Sequence, residues 1–278
     1  MTAPEVTLIG VPYDAHSSFL RGPANAPDAV RAALDCGSAN WCSETGLDLG
    51  PLRGDRWADL GDLDLPDETL PALHAIRSAA SDVVAAGGRV LAVGGDHLVA
   101  WPLVQAVTDH HDGVTILHFD AHPDLYDELD GDRYSHACPF ARIMEEGRVD
   151  RLVQFGIRTM TPHQREQVER FGVEVHEART GVVSIDDLRG PVYVSIDVDV
   201  LDPAFAPGIS HHEPGGWSVR QLLDAIAATR TAGVPVVGAD LVEINPDRDL
   251  NDMTAMVGAK LVRELLDLLL TAPHVSAG

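Results

Sequence analysis

Short, almost continuously apolar segments recur along this chain and alternate with segments of helical periodicity. Such runs, rich in β-branched residues, are typical of strands buried on both faces, and they cover residues 6–11, 89–93, 114–119, 152–157, 192–196 and 234–237. Between them, apolar side chains recur at helical spacing, as in Val219, Leu222, Leu223 and Ile226, and again over residues 253–270. The alternation predicts a three-layer α/β/α fold with a mostly parallel sheet.

Nothing in the sequence divides the chain into halves. Its 278 residues contain no fixed-period repeat, low-complexity stretch or flexible linker, so we expect one domain over residues 1–278. The hydrophobic fraction of 45% is enough for a sizeable core. No apolar run approaches the ~18 residues of a membrane span, and the first ten residues do not resemble a signal peptide. We therefore expect an intracellular chain with no membrane partner.

The charge balance argues against nucleic acid as a partner. The net charge is −23, and such a field repels polyphosphates while mildly favouring small cations. An acidic surface that serves solubility or life in high salt is an equally good reading of the same number. Cys36, Cys42 and Cys138 form no paired framework and no CxxC motif. They fit reduced thiols, and we expect a cytoplasmic location.

Polar side chains follow three of the predicted strands at the point where each strand ends. In parallel α/β sheets, ligand chemistry lies in the loops after the carboxyl ends of the strands. Gly-Gly-Asp-His spans residues 94–97, Asp-Ala-His-Pro-Asp spans 120–124, and Asp-Val-Asp spans 197–199. Six candidate metal ligands result: His97, Asp120, His122, Asp124, Asp197 and Asp199.

The types and spacing of these side chains indicate two metal ions. In extended backbone, residues at i, i+2 and i+4 project to one side, so the members of each motif can converge. Four crowded carboxylates repel one another unless cations neutralise them. Oxygen-rich ligation with two imidazoles suits manganese or another octahedral ion better than zinc. We predict a dinuclear site in which Asp residues bridge the ions and each ion takes one His.

Each motif alone also has a purely structural interpretation. Gly-Gly-Asp-His is often a helix start with the Asp, here Asp96, as the cap. A lone Asp-x-Asp at a strand end is also common. Asp-Ala-His-Pro-Asp is more specific, because two carboxylates flanking an imidazole beside a buried strand have little packing rationale.

The same motifs resemble those of the ureohydrolases, the arginase and agmatinase family. The three signature motifs match at residues 94–97, 120–124 and 195–203, and the likeness extends from Gly-Val-Pro-Tyr-Asp at 10–14 to Asp-Leu-Val-Glu-Ile-Asn-Pro at 240–246. Further segments look most like the plant-type arginases; they are Tyr-Ser-His-Ala at 134–137, Phe-Ala-Arg-Ile-Met-Glu at 140–145 and the loop 207–216.

This resemblance implies a fold, a cofactor and an activity. It implies a single arginase-like α/β domain, two Mn²⁺ per chain on the six residues named above, and assembly as homotrimers or hexamers. The implied reaction is hydrolysis of a small guanidino substrate, L-arginine or agmatine, to urea and an amine. Such a reaction belongs to arginine or polyamine metabolism.

The mechanism that we expect begins with a water bridging the two ions. With the ions about 3.5–4 Å apart, that water loses a proton readily and can attack the poorly electrophilic guanidinium carbon. Asp124 both ligates and accepts a hydrogen bond from this hydroxide. His136, placed by the resembling motif, protonates the leaving amine with a pKa near working pH. Glu243 matches the guanidinium-holding Glu of the family and can accept two parallel hydrogen bonds.

Other positions and other functions stay open. His211 lies where relatives place a substrate-side residue and is a candidate specificity contact. Leu98 stands where the family usually has Ser, which removes a hydroxyl that could support the metal site. Alternative substrates are guanidinobutyrate or guanidine, with nickel as the alternative metal, and a catalytically silent oligomer subunit is the alternative outside enzymes. A dinuclear phosphatase is disfavoured, because no phosphate cradle lies near the motifs.

Overall fold

Eight parallel strands form one sheet in the computed structural model, which describes residues 3–181 and 187–275. The strands are β1 (Val6–Val11), β2 (Trp57–Asp62), β3 (Arg89–Gly94), β4 (Val114–Phe119), β5 (Val149–Ile157), β6 (Glu174–Glu177), β7 (Val192–Asp197) and β8 (Val236–Val242). Their order across the sheet is β2-β1-β3-β8-β7-β4-β5-β6, and every neighbouring pair is parallel. The predicted parallel sheet is confirmed.

Among the described residues, seven α-helices cover the two faces of this sheet. They are α1 (Ala26–Leu34), α2 (Thr69–Ala85), α3 (Ala100–Thr108), α4 (Pro139–Glu146), α5 (Pro162–Phe171), α6 (Val219–Thr231) and α7 (Met253–Thr271). Helices α1, α6 and α7 pack on one face, and α2, α3, α4 and α5 pack on the other. The predicted three-layer α/β/α fold is confirmed, and the extent of the domain over residues 1–278 stays a prediction. Within the described residues, no helix is both long and apolar enough to cross a bilayer.

Four of the six predicted strand segments differ from the structure at a boundary, and two strands were not predicted. Strands β3 and β7 each extend one residue beyond the predicted segment. The segment 234–237 corresponds to β8, which runs from Val236 to Val242, and β5 begins three residues before the predicted segment. The strands β2 and β6 lie at the two edges of the sheet. Their sequences, Trp-Ala-Asp-Leu-Gly-Asp and Glu-Val-His-Glu, are only partly buried, so neither has the continuous apolar run that marks a central strand.

The order of the strands decides where the motifs meet. Strands β3, β8, β7 and β4 are consecutive neighbours in the middle of the sheet. All strands point the same way, so the loops after these four strands meet at one edge. Gly95, directly after β3, allows a close backbone approach there: an added Cβ would lie 1.6 Å from the carbonyl oxygen of Tyr13.

Candidate functional site

The structure brings all six predicted metal ligands together at the carboxyl edge of the central strands. His97 follows β3, the Asp120–His122–Asp124 group follows β4, Asp197 is the last residue of β7, and Asp199 follows it. Five of the six side chains are buried, and His122 is half-buried. Asp96 also caps the short 3-10 helix His97–Val99 through the N–H of Leu98, which agrees with the structural interpretation of that motif.

One half of the cluster is centred on His97. Its Nδ1 lies 3.1 Å from Oδ2 of Asp120, 3.1 Å from Oδ2 of Asp124 and 3.4 Å from Oδ2 of Asp197. The other ring nitrogen, Nε2, lies 3.0 Å from the Ser195 hydroxyl. That hydroxyl donates to the buried carboxylate of Asp240, at 2.7 Å, so it accepts the Nε2 proton of His97. The Nδ1 lone pair therefore points at three carboxylate oxygens.

The other half of the cluster is centred on His122. Its Nδ1 lies 3.0 Å from Oδ2 of Asp199 and 3.4 Å from Oδ1 of Asp120. Asp120 thus turns one carboxylate oxygen toward each histidine, which is the arrangement expected of a bridging ligand.

Backbone N–H groups hold the carboxylates in place. The N–H of Asp199 donates to Oδ1 of Asp197 at 2.7 Å, and the N–H of Ala121 donates to Oδ1 of Asp199 at 3.0 Å. For Asp197 and Asp199 this leaves the second oxygen, Oδ2, facing the histidines. The second contact links the two loops, so the loop after β4 positions a ligand that belongs to the loop after β7.

The crowded negative charge of the buried carboxylates favours the binding of cations in this cluster. Burial, together with the charge of Asp199, raises the pKa of Asp197 well above its usual range. Burial and the charge of Asp120 raise the pKa of Asp199 to about 6. Nδ1 of His97 is buried and has no hydrogen-bond partner among the described residues. An unpartnered imidazole nitrogen facing crowded carboxylates is a donor set that fits divalent metal ions.

His118, which sequence reasoning missed, supports Asp120 from within β4. Gln154 donates from Nε2 to the carbonyl of Pro123 at 2.7 Å and contacts Nδ1 of His118 at 3.0 Å. Nδ1 is therefore the acceptor, and Nε2–H donates to Oδ2 of Asp120 at 2.8 Å. Burial lowers the pKa of His118, which favours this neutral form. The available signal was a histidine two residues before Asp120, on the same face of an otherwise apolar strand.

Glu243 and His136 lie beside the carboxylate cluster, in a cavity of about 220 Å³. Oε1 of Glu243 accepts from Nδ1 of His136 at 2.7 Å and from the N–H of His97 at 3.0 Å. Its other oxygen, Oε2, is buried and has no hydrogen-bond partner in the described part of the chain. Burial opposes protonation of His136, but the carboxylate of Glu243 outweighs it and raises the pKa of His136 to about 9. This pKa is higher than the near-neutral value expected from the sequence.

In the same cavity, His211 lies next to His136, and the hydroxyl of Ser18 contacts both rings. The sequence did not single out this serine. The ring centroids of the two histidines are 4.9 Å apart. The Ser18 hydroxyl lies 2.9 Å from Nε2 of His136 and 3.4 Å from Nε2 of His211. Ser18 belongs to the loop after β1, more than a hundred positions away in sequence, so no local pattern could have indicated the contact.

Leu98, the departure from the usual motif, packs in the core, and another hydroxyl supports the cluster of candidate ligands. Its side chain is fully buried among the apolar residues between the sheet and α3. Ser195 supplies the hydroxyl that orients His97.

Comparisons with known proteins give a consistent result. The model of the family described as "Arginase family" matches residues 4–267. A relative named "Arginase 1, mitochondrial" from Arabidopsis thaliana is 47% identical, over 93% of this chain and 79% of the relative. "Agmatinase" from Bacillus anthracis is 34% identical, over 94% and 91%. The solved "Arginase from Medicago truncatula" superposes with a TM-score of 0.83 at 42% identity, covering 95% of this chain and 86% of that one.

These comparisons overturn the predicted cytoplasmic location. The Arabidopsis relative is named as a mitochondrial protein, which points to an organelle rather than to the cytoplasm. The prediction was wrong because it rested on unpaired cysteines. Unpaired cysteines report redox chemistry and do not identify a compartment.

Proposed function

The chain belongs to the arginase family, as its motifs predicted, and is a metal-dependent ureohydrolase; from this premise we propose that it hydrolyses L-arginine to urea and an amine. One observation carries the proposal. Oε2 of Glu243 is an ionisable oxygen, buried and unpartnered among the described residues, beside a carboxylate and imidazole cluster that fits divalent cations. A planar guanidinium supplies the charged N–H donors that this oxygen lacks.

The residues present fit two divalent ions, and we propose manganese because oxygen ligands dominate. His97, Asp120, Asp124 and Asp197 would hold one ion, and His122, Asp120 and Asp199 would hold the other. When bound, such a pair lowers the pKa of water, so that a nucleophile is available at neutral pH.

Glu243 orients the substrate. Its Oε1 already accepts hydrogen bonds from His136 and from the backbone of His97, whereas Oε2 is free to accept from the guanidinium. The two parallel bonds expected from the sequence would require His136 to release Oε1. In the arrangement seen here, one charge-assisted bond at Oε2 fixes the guanidinium in the cavity.

His136 is placed to protonate the leaving amine. An amide anion is too basic to leave, so the amine needs a proton as the C–N bond breaks. With a pKa of about 9, His136 is protonated at neutral pH. Its Nδ1 proton lies against Oε1 of Glu243, next to the proposed position of the guanidinium. Asp124 also lines the cavity and can accept a hydrogen bond that orients the attacking water.

The rest of the cavity suits a polar, zwitterionic tail. Its lining includes five residues with hydroxyl, amide or carboxyl side chains, together with the apolar Leu129 and Ala137; the five are Tyr126, Thr159, Thr161, Gln164 and Glu213. Neutral donors can bind an α-carboxylate, and the carboxylate of Glu213 can bind an α-ammonium. The 47% identity to a relative named arginase, against 34% to one named agmatinase, also favours arginine.

The test is a panel of urea-release assays on manganese-loaded protein with arginine, agmatine, guanidinobutyrate and guanidine. We expect the highest kcat/KM for arginine. A higher value for agmatine would replace the proposed substrate, and release from none of the four would favour the silent oligomer subunit. Light scattering on the same sample tests the proposed trimer or hexamer.

A further inference from the structure

We propose that His136, His211 and Glu243 form a third cation site, which binds Zn²⁺ and is separate from the six predicted manganese ligands. We expect zinc at this site to inhibit urea release by occupying the position of the guanidinium, and this consequence rests on the proposed function. The binding of zinc itself does not depend on the proposed function.

The three side chains converge on one point of the cavity. Each offers one donor atom that lies within 4.8 Å of the donor atoms of the other two. Ligands around tetrahedral zinc, with metal–ligand distances of about 2.0–2.1 Å, lie about 3.3 Å apart. The cluster must therefore contract by up to about 1.5 Å to meet the geometry of zinc. His211 is half-buried on a loop, and a change in its side-chain rotamer can provide this movement.

The donor types distinguish this cluster from its neighbour. Two imidazoles and one carboxylate make a donor set typical of zinc sites that keep an open fourth position. The six predicted manganese ligands include four carboxylates, which favour a harder ion. Burial lowers the pKa of His211, so its imidazole is neutral and offers a lone pair at pH 7.

Glu243 provides the charge that attracts a cation to this point. The residue is 4% exposed, and Oε2 has no hydrogen-bond partner among the described residues. A buried carboxylate oxygen left without a donor is costly, and a cation relieves that cost. The Nδ1 proton of His136 donates to Oε1 of Glu243, so zinc must displace this proton to bind there, and its affinity should rise with pH.

The chain offers a matched control on the same loop. His212 follows His211, but it is exposed, and its Nε2 lies 2.9 Å from the carbonyl of Pro207, outside the cavity. His211→Ala and His212→Ala therefore remove the same group from adjacent positions, and only the first removes a proposed ligand.

The experiment is equilibrium dialysis of manganese-loaded protein against Zn²⁺ in excess Mn²⁺, followed by metal analysis. We expect one zinc per chain with the manganese content unchanged. His211→Ala should weaken this binding about tenfold or more, by analogy with the loss of supporting groups at metal sites, and His212→Ala should not. Zinc that replaces manganese one for one, or that binds His211→Ala as tightly as wild type, would overturn the proposal. Circular dichroism verifies folding, and His211→Asn replaces the Ala variant if it misfolds.

Urea release in the same samples separates this inference from the proposed function. Zinc should inhibit the wild type and the His212→Ala variant, and should inhibit His211→Ala at about tenfold higher concentration, matching the weaker binding. If no guanidino compound yields urea, the proposed function fails, while the zinc count still decides the third site. If urea is released but no third metal binds, only the third site fails.

Discussion

Glu243 is subject to three constraints at once. Its backbone lies in the left-handed region, with φ of 64°, its side chain is buried, and its two oxygens have different surroundings. Asp124, a predicted metal ligand, also lies in this region, with φ of 50°. Such conformations cost about 1–3 kcal/mol each and persist only where the surrounding structure imposes them. Two left-handed residues in one cavity indicate that the fold accepts backbone strain in order to place these two side chains.

Glu243→Gln should reduce kcat/KM by roughly 10–150-fold, because a charge-assisted hydrogen bond contributes about 1.5–3 kcal/mol. It should also shift the basic limb of the pH profile to lower pH, since the carboxylate of Glu243 is what raises the pKa of His136. Steady-state kinetics across pH and metal analysis check both effects. Wild-type efficiency, or a loss of manganese, would contradict the assigned role.

His136→Ala should slow turnover by about 10²–10⁴-fold, the usual contribution of a general acid or base. The manganese content should not change, because the His136 side chain hydrogen-bonds to Glu243 and Ser18 and, in the described part of the chain, to none of the six predicted ligands. Single-turnover kinetics and metal analysis distinguish the two roles. A parallel loss of metal would make His136 a ligand instead.

Sequence reasoning found the residues that follow apolar strands and missed those whose partners are distant along the chain. His97 and Asp120 could be predicted because each stands at the end of a recognisable buried run. Ser18 could not, since its contact with His136 depends on how two loops meet. The network of Ser195 and Asp240 likewise exists only because β7 and β8 are neighbours.

Among the secondary-structure elements, the central strands were predictable and the edge strands were not. Burial on both faces demands continuous apolar sequence, as in β1 and β4, whereas an edge strand such as β6 can be mostly polar. The helices α6 and α7 begin at Val219 and Met253, as their periodicity indicates. The end of α6 was not predicted, because its apolar pattern stops before the helix does.

Helix α6 begins with a complete capping box, and we expect Ser218→Ala to destabilise the protein by about 1 kcal/mol. The Ser218 hydroxyl accepts from the N–H of Gln221, and the Gln221 side chain accepts from the N–H of Ser218. Denaturant unfolding measures the change, with Ser38→Ala, an exposed serine outside any helix, as the control. Equal stability of the two variants would show that the cap is unimportant.

For the molecule as a whole, the net charge of −23 predicts a dependence of stability on salt. Self-repulsion opposes the compact state, and the screening length falls from about 30 Å at 0.01 M salt to about 3 Å at 1 M. The melting temperature should therefore rise with sodium chloride and rise equally with potassium chloride. A melting temperature that stays constant or falls in calorimetry would show that the acidic surface carries no such penalty.

The most direct test of the account counts manganese and urea together in the wild type and in Asp120→Asn. Asp120 turns one oxygen toward His97 and the other toward His122, so the substitution removes a charge from both proposed ion positions. We predict two manganese ions per chain and urea release in the wild type, with loss of both in the variant. Two bound ions and undiminished urea release in Asp120→Asn would contradict a dinuclear site at these strand ends.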